Sequence, residues 1–363
     1  MNLEELNERQ REAVLYNDGP LLIIAGAGAG KTKTLTTKIA YLIEKKNVAP
    51  ENILAITFTN KAAKEMKDRL FKTIGQTAKY LQVSTFHSFG LKLLRENYDA
   101  LGYDKNFVIM DSDDSLTVVK KIIKDIGYDP KIYNPRAIRN KISSCKNEMT
   151  SPEAYERYAA SDFEKVVQEV YAKYEKKLQR NNSVDFDDLL LLPIELFKKN
   201  PDILNKYQDL YQYILIDEYQ DTNEAQYILT KMLSAKNRKI TCVGDDSQSI
   251  YSFRGANYKN ILNFEKDYKD AKTILLEQNY RSTSNILDAA NQVIKNNKMR
   301  KDKNLWTSRG IGEKIKYYRA YNERDEAQYV IRKIKELTNR NVEYKDIAVL
   351  YRTNAQSRVL EEE

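Results

Sequence analysis

Cysteine and histidine are scarce in this chain of 363 residues, which has two of the first and one of the second. Cys145 and Cys242 lie far apart and neither sits in a Cys-x-x-Cys spacing, which argues against a zinc site or a disulfide framework. One histidine, His87, excludes a His-based metal centre and leaves little room for imidazole catalysis. No run of about 18 apolar residues occurs, so no segment reads as a membrane-spanning helix. The N-terminus, Met1-Asn2-Leu3-Glu4-Glu5, lacks the basic-then-apolar order of an export signal. Internal repeats and low-complexity linkers are missing too. These absences point to a reducing, cytoplasmic setting without a membrane.

What is present is apolar enough to fold. Hydrophobic residues make up 42% of the chain, sufficient for real cores, and the length suggests two or three compact units. The formal charge is +8 and the pI about 9.0. Such a balance suits an anionic partner, and nucleic acid is the commonest soluble one. Lysine-rich solvated faces reach the same value with no partner, so charge alone leaves both readings open.

Short apolar runs alternate with helical stretches. Leu21–Ala25, Ile53–Thr57, Gln82–Thr85, Tyr213–Ile216 and Ile240–Val243 read as buried strands, and their near-continuous Val/Ile/Leu content fits a parallel sheet covered on both faces. The alternation predicts a doubly wound α/β layer. From Lys92 to Asn205 helix signals take over. Leu116, Val119, Ile122, Ile123 and Ile126 share one helical face that stops at Gly127. Ser151-Pro152 is a helix start, and Ser161-Asp162-Phe163-Glu164 is a capping box ahead of Val167, Val170, Tyr171, Tyr174 and Leu178. The spacing predicts an all-helical insertion over 92–205 between two parts of one α/β domain, 1–91 and 206–276. A second α/β unit begins at Glu277, with strands expected over Lys314–Arg319 and Ile347–Tyr351.

Two motifs carry the chemistry. Ala25-Gly26-Ala27-Gly28-Ala29-Gly30-Lys31-Thr32 follows a buried strand and opens a helix. It is the phosphate-loop pattern with Ala at its first position, in the context that the motif requires. Glycines let backbone N–H groups wrap a phosphate, and the helix N-terminus favours the negative charge. Lys31 is expected to reach the β- and γ-phosphates of ATP, and the Thr32 hydroxyl to ligate Mg²⁺. The bland reading, a Gly/Ala-rich turn with no ligand, fails on the Gly-Lys-Thr ending. The second motif is Asp217-Glu218 at the C-terminal end of an apolar strand, where open α/β sheets bind ligands. Asp217 is expected to hold Mg²⁺ through water, and Glu218 to orient and deprotonate the attacking water. Alone the pair could merely solvate a strand end; with the upstream loop it argues for hydrolysis.

From here the sequence resembles the UvrD/PcrA/Rep-type superfamily 1 DNA helicases. Asp217-Glu218-Tyr219-Gln220-Asp221-Thr222-Asn223 is similar to their motif II. Val243-Gly244-Asp245-Asp246-Ser247-Gln248, continuing to Ala256, is similar to motif III, and Leu276-Glu277-Gln278-Asn279-Tyr280-Arg281-Ser282 to motif IV. Thr57–Ala63 and Ser84–Phe89 resemble the DNA-contacting segments Ia and Ib/Ic. The ordered set runs from Gln10 to Arg358.

The resemblance implies a RecA-like fold for the first domain, the beginning of a second RecA-like domain, and ATP bound between them. The loop residues Gly26, Ala27, Gly28, Ala29, Gly30, Lys31, Thr32 and Lys33 would contact the nucleotide. Gln10 would read the adenine edge, although Asn7-x-x-Gln10 also fits a helix-capping box. Tyr280 would stack on the adenine, Arg281 would reach the γ-phosphate, and Gln248 would sense it unless it merely caps its turn. Phe58, Thr59, Asn60, Lys61, His87, Tyr251, Phe253 and Arg254 would line the path of single-stranded DNA. Phe58 and Phe253 fit equally well as core residues beneath their loops. Phe253 stands where many relatives carry Trp, and Ala29 where Ser is common. The implied activity is ATP-driven helicase or translocase action on single-stranded DNA and duplex junctions, 3′ to 5′, in repair or replication, with accessory proteins unidentified. A motor arm of a helicase–nuclease complex and a nucleotide-switched DNA-binding module remain as rivals; a small-molecule kinase is disfavoured by Gln248 and motif IV. Tyr351-Arg352-Thr353-Asn354 resembles the segment ahead of the family's second large insertion. Motifs V and VI do not follow it, so this chain is expected to hydrolyse ATP weakly.

Overall fold

The computed structural model describes residues 3–250, 256–257, 259–298 and 300–363. Among these residues are eight strands: β1 (Leu21–Ala25), β2 (Ile53–Thr57), β3 (Gln82–Thr85), β4 (Val108–Ile109), β5 (Ser183–Val184), β6 (Tyr213–Ile216), β7 (Ile240–Gly244) and β8 (Lys272–Leu276). Six form one parallel sheet in the order β3-β2-β6-β7-β1-β8, while β4 and β5 pair separately. All five strands expected in the first domain are there, and β8 adds an edge beside β1. The doubly wound α/β fold is therefore the observed one.

Strand geometry explains why these runs are apolar throughout. Successive side chains point to opposite faces, and both faces are covered. Leu21, Ile23 and Ala25 join one core with Leu35, Ile39, Met66 and Leu70. Leu22 and Ile24 join the other, with Leu54, Ile56, Phe89, Ile194 and Phe264. A strand with only one buried face would have alternated.

The helical region has a core of its own. Helices Ser112–Asp125, Pro135–Asn147, Pro152–Glu156 and Asp162–Arg180 enclose Val119, Ile123, Ile138, Ile142, Val167, Val170 and Tyr174. The expected caps form: Ser161 and Glu164 make the reciprocal box, Ser151 caps at Ala154, and Gly127 takes a φ of +87°. The later helices of this stretch, Asp188–Lys199 and Pro201–Leu210, pack instead into the core beneath the sheet through Leu190, Ile194, Phe197 and Tyr207. At the junction lies Lys146, with a fully buried side chain that contacts Glu175 at 2.8 Å, Asp185 at 2.8 Å and Asp188 at 2.7 Å. Burial opposes its charge, yet Asp185 and Asp188 hold the ammonium well above the usual lysine range.

Residues 3–311 form one compact unit and 312–363 another. The second contains helix Glu323–Thr338, begun by Asn322, and a stack of Tyr318 on Tyr329 at 4.0 Å. The strands expected over 314–319 and 347–351 do not form. A parallel strand is stable only with hydrogen-bonded neighbours and covered faces, and neither segment has a ladder partner among the described residues. No described helix is long and apolar enough to cross a membrane.

Helix Phe86–Glu96, which leaves β3, crosses helix Asp188–Lys199 at Gly90. A Cβ there would stand 1.8 Å from the Leu189 carbonyl oxygen, a contact that only backbone movement can relieve. Gly90→Ala is therefore expected to lower the unfolding free energy by roughly 1–3 kcal/mol, the usual cost of overpacking. The measurement is the urea midpoint at constant m-value; an alanine variant as stable as the parent would refute the close crossing.

Candidate nucleotide site and adjoining groove

β1 delivers the loop Gly26–Gly30 to helix Lys31–Lys46. Gly28 and Gly30 have φ of +68° and +80°, a conformation that costs side-chain-bearing residues. The space is closed as well. A Cβ on Gly30 would stand 2.7 Å from Gln10 Nε2, and one on Gly28 would stand 2.7 Å from Asn279 Nδ2. Gln10 is buried. Its Nε2 donates to the Ala29 carbonyl at 2.9 Å, and its Oε1 accepts from the Asn7 amide at 3.2 Å. The capping box is thus built, and the same side chain braces the loop.

β6 ends beside the loop, with β7 between it and β1. Asp217 is buried at that end. Glu218, the next residue, has φ +51° and ψ +45°, the left-handed region that residues other than glycine seldom enter. This turn brings the Glu218 carboxylate to 3.1 Å from Lys31 Nζ. Burial and the neighbouring Glu218 push the Asp217 carboxyl up to about 6, opposed by Lys31 and by a hydrogen bond from Thr32. Lys31, Thr32, Asp217 and Glu218 therefore meet at one point. Lys33 turns away, its ammonium donating to the Glu5 carbonyl at 3.1 Å.

A side chain with no sequence-based assignment ties this point to β7. Gln220 donates from Nε2 to Glu218 at 2.9 Å and accepts the Asp245 amide at 3.0 Å. Asp245 in turn accepts from Gln248 Nε2 at 2.6 Å, and it is Asp245 that caps the turn, accepting the Ser247 amide at 3.0 Å. Lys303, equally unanticipated, is buried against Asp245 at 2.6 Å and against Asp246. The segment after β8 lies on the loop itself. Asn279 donates to the Ala27 carbonyl and the Tyr280 amide donates to the Gly28 carbonyl at 3.0 Å. Tyr280 is 44% exposed, with its hydroxyl accepting from Asn7 at 2.8 Å. Arg281 is exposed, and its Cβ stands 2.8 Å from where a Gly28 Cβ would be.

A cleft of about 830 Å³ adjoins this site, between the C-terminal ends of β2 and β3 and the helical region. Phe58, Thr59, Asn60 and His87 line it, while Lys61 is exposed one residue further along its helix. Tyr251, Phe253 and Arg254 lie outside the described residues. The opposite wall holds an unforeseen aromatic: Phe186, 58% exposed, stacks on His87 with centroids 4.0 Å apart at 20°. A signal for it existed in Asp185-Phe186-Asp187-Asp188, where a phenylalanine stands among acids and fits no helical face. Asp187 and Asp221 also line the cleft. Burial raises both carboxyls, with Asp185 adding to the first and Glu218 to the second, which reaches about 6.

Comparison with known proteins bears on all of this. Residues 6–269 match the model of the UvrD/REP helicase N-terminal domain, and residues 274–363 that of the UvrD-like helicase C-terminal domain. The chain is similar to the ATP-dependent DNA helicase PcrA of Bacillus subtilis (54% identical over 361 residues), of Staphylococcus aureus Mu50 (52% over 360) and of Staphylococcus epidermidis (51% over 360). Each alignment covers 99% of this chain but 49% of the relative, so the chain spans about half the length of the curated relatives it matches. The match of the N-terminal domain model over most of the chain, on a fold with the phosphate loop and acid pair converging, places this protein in the UvrD/REP helicase family.

Proposed function

We propose that the chain carries the nucleotide- and strand-binding half of an ATP-dependent DNA helicase that translocates 3′ to 5′ on single-stranded DNA in repair or replication. The observation that carries this reading is the meeting of Lys31, Thr32, Asp217 and Glu218 beside an aromatic-walled cleft. Relatives named ATP-dependent DNA helicase share half or more of its residues; the polarity rests on family likeness alone.

The residues fit ATP and Mg²⁺. The loop holds its left-handed glycines in a concave turn at a helix N-terminus, a ready anion site. Asp217, kept near 6 by burial and by Glu218, is a carboxyl whose ionised form a divalent cation favours. Lys31 would hold the terminal phosphates, Thr32 and Asp217 the metal, and Gln10 and Tyr280 the base. When bound, the metal supplies charge neutralisation at the transferred phosphoryl group. Glu218 is poised to take a proton from water once Lys31 turns from it to phosphate. Gln248 and Arg281 would report on the γ-phosphate. In the cleft, Phe58, His87 and Phe186 offer aromatic faces, worth roughly 1–3 kcal/mol per stacked base irrespective of sequence.

Glu218→Gln should leave binding of a fluorescent ATP analogue intact while DNA-stimulated ATP turnover drops by about 10²-fold or more, the usual worth of a general base. Lys31→Met should lose the nucleotide itself. Unchanged turnover in Glu218→Gln would sink the assignment of the base.

The single histidine offers a second check. Burial holds its ring at about 4 instead of 6.5, so at neutral pH His87 stacks as an uncharged face. The unfolded chain takes up this proton first as pH falls. The ring's contribution to stability is therefore complete above 6.5 and is lost progressively between 6.5 and about 4. Proton NMR should find the imidazole titrating at about 4; a ring that titrates at its ordinary value would mean that the stack on Phe186 is open to water.

A further inference from the structure

Resting on the helicase reading above, we propose that Asn147 is a positioning residue that joins the nucleotide site to the strand groove through a directed hydrogen-bond chain, Asn223 to Asn147 to Asp187. Asn223 Nδ2 donates to Asn147 Oδ1 at 2.5 Å, and Asn147 Nδ2 donates to Asp187 Oδ1 at 3.0 Å. All three residues line the cleft, and they come from three elements far apart in sequence.

Each end of the chain is anchored to one of the two sites. On the nucleotide side, residues 218–222 form one hydrogen-bonded turn that leads directly into Asn223. The Asp221 amide donates to the Glu218 carbonyl at 3.0 Å, and the Thr222 hydroxyl donates to the Tyr219 carbonyl at 2.8 Å. A shift of Glu218 would pass along this turn to Thr222 and, through the peptide bond, to Asn223. Asn223 Oδ1 is already committed to the Gln226 amide at 2.9 Å as a helix cap, which leaves Nδ2 to face Asn147.

On the groove side, Asp185 and Asp188 exchange backbone-to-carboxylate bonds at 2.9 Å each, and both are held by Lys146, the neighbour of Asn147. Phe186 and Asp187 form the apex of this locked turn. Two consecutive residues of one helix thus fix the apex from both sides, and the apex carries the ring that stacks on His87. Asn147 Nδ2 also donates to the Ser143 carbonyl at 2.7 Å, which sets the amide's orientation and so the direction of the chain. Among these bonds of the described residues, Asn147 is the link between the Glu218 turn and the Phe186 turn.

The test measures how much a non-hydrolysable ATP analogue with Mg²⁺ changes the affinity of this chain for fluorescein-labelled oligothymidine, by anisotropy. In the parent chain the analogue should shift affinity by roughly 5-fold or more, as coupled sites do. Asn147→Ala should bring that shift to within about 2-fold of none, while analogue affinity without DNA stays at the parent value and certifies the fold. Asn147→Asp, which sets two carboxylates against each other, should do the same. Combining it with Asp187→Asn exchanges the two residues, restores a donor–acceptor pair and should recover the coupling. Coupling retained in Asn147→Ala, coupling absent from a parent chain that binds both ligands, or no recovery on exchange overturns the proposal. Failure of the parent chain to bind either ligand would instead overturn the helicase reading.

Discussion

The ion pair between Lys31 and Glu218 marks the point on which the phosphate loop and the end of β6 converge. It joins the first turn of the helix after β1 to the end of β6, two strands away, and it requires Glu218 to adopt a left-handed backbone. Such a conformation persists only where the surroundings over-determine it. Here they do so through Gln220, which is buried between the Glu218 carboxylate and the backbone of Asp245. The ends of β6 and β7 are thereby cross-linked by one side chain, and the loop after β1 is held to both.

The same economy of contacts governs the segment after β8. Asn279 and Tyr280 engage loop carbonyls of the phosphate loop, and Lys303 returns to the acids that follow β7. Residues that motif spacing assigns to a later domain are in this way seated on the loop of the first. The cleft beside them is built differently from what the overall +8 charge suggests. Its walls carry amides, hydroxyls, aromatic faces and two carboxyls raised by burial.

Much of this was legible in the residues. Continuous Ile/Leu runs, the Gly-Lys-Thr turn and the Asp-Glu pair gave five of the six sheet strands and the four residues that meet at Lys31, because burial on both faces and phosphate binding each demand a particular local pattern. Gln220, Asn147 and Lys303 were not legible in their roles, and Phe186 left only the trace of an aromatic set among acids. Their roles depend on which distant segments the fold brings together, and an isolated Gln or Asn has no pattern to betray it. The strands expected over 314–319 and 347–351 show the opposite error, where an apolar run satisfies the local rule but lacks a hydrogen-bonded neighbour. Gln10 and Tyr280 both sit by the loop, Gln10 bracing it with its side-chain amide on the Ala29 carbonyl and Tyr280 with its backbone amide on the Gly28 carbonyl.

The missing side chain at Gly90 decides how the helical region is mounted. Because the backbones of the outgoing and returning helices touch at that point, the helical excursion is hinged to the sheet at a fixed pivot near its root. The outer helix Pro135–Asn147 returns to that root, where its Lys146 and Asn147 hold the Asp185–Asp188 turn. A single absent methyl group thus decides how closely the two segments seat at the root from which Phe186 is presented to the cleft.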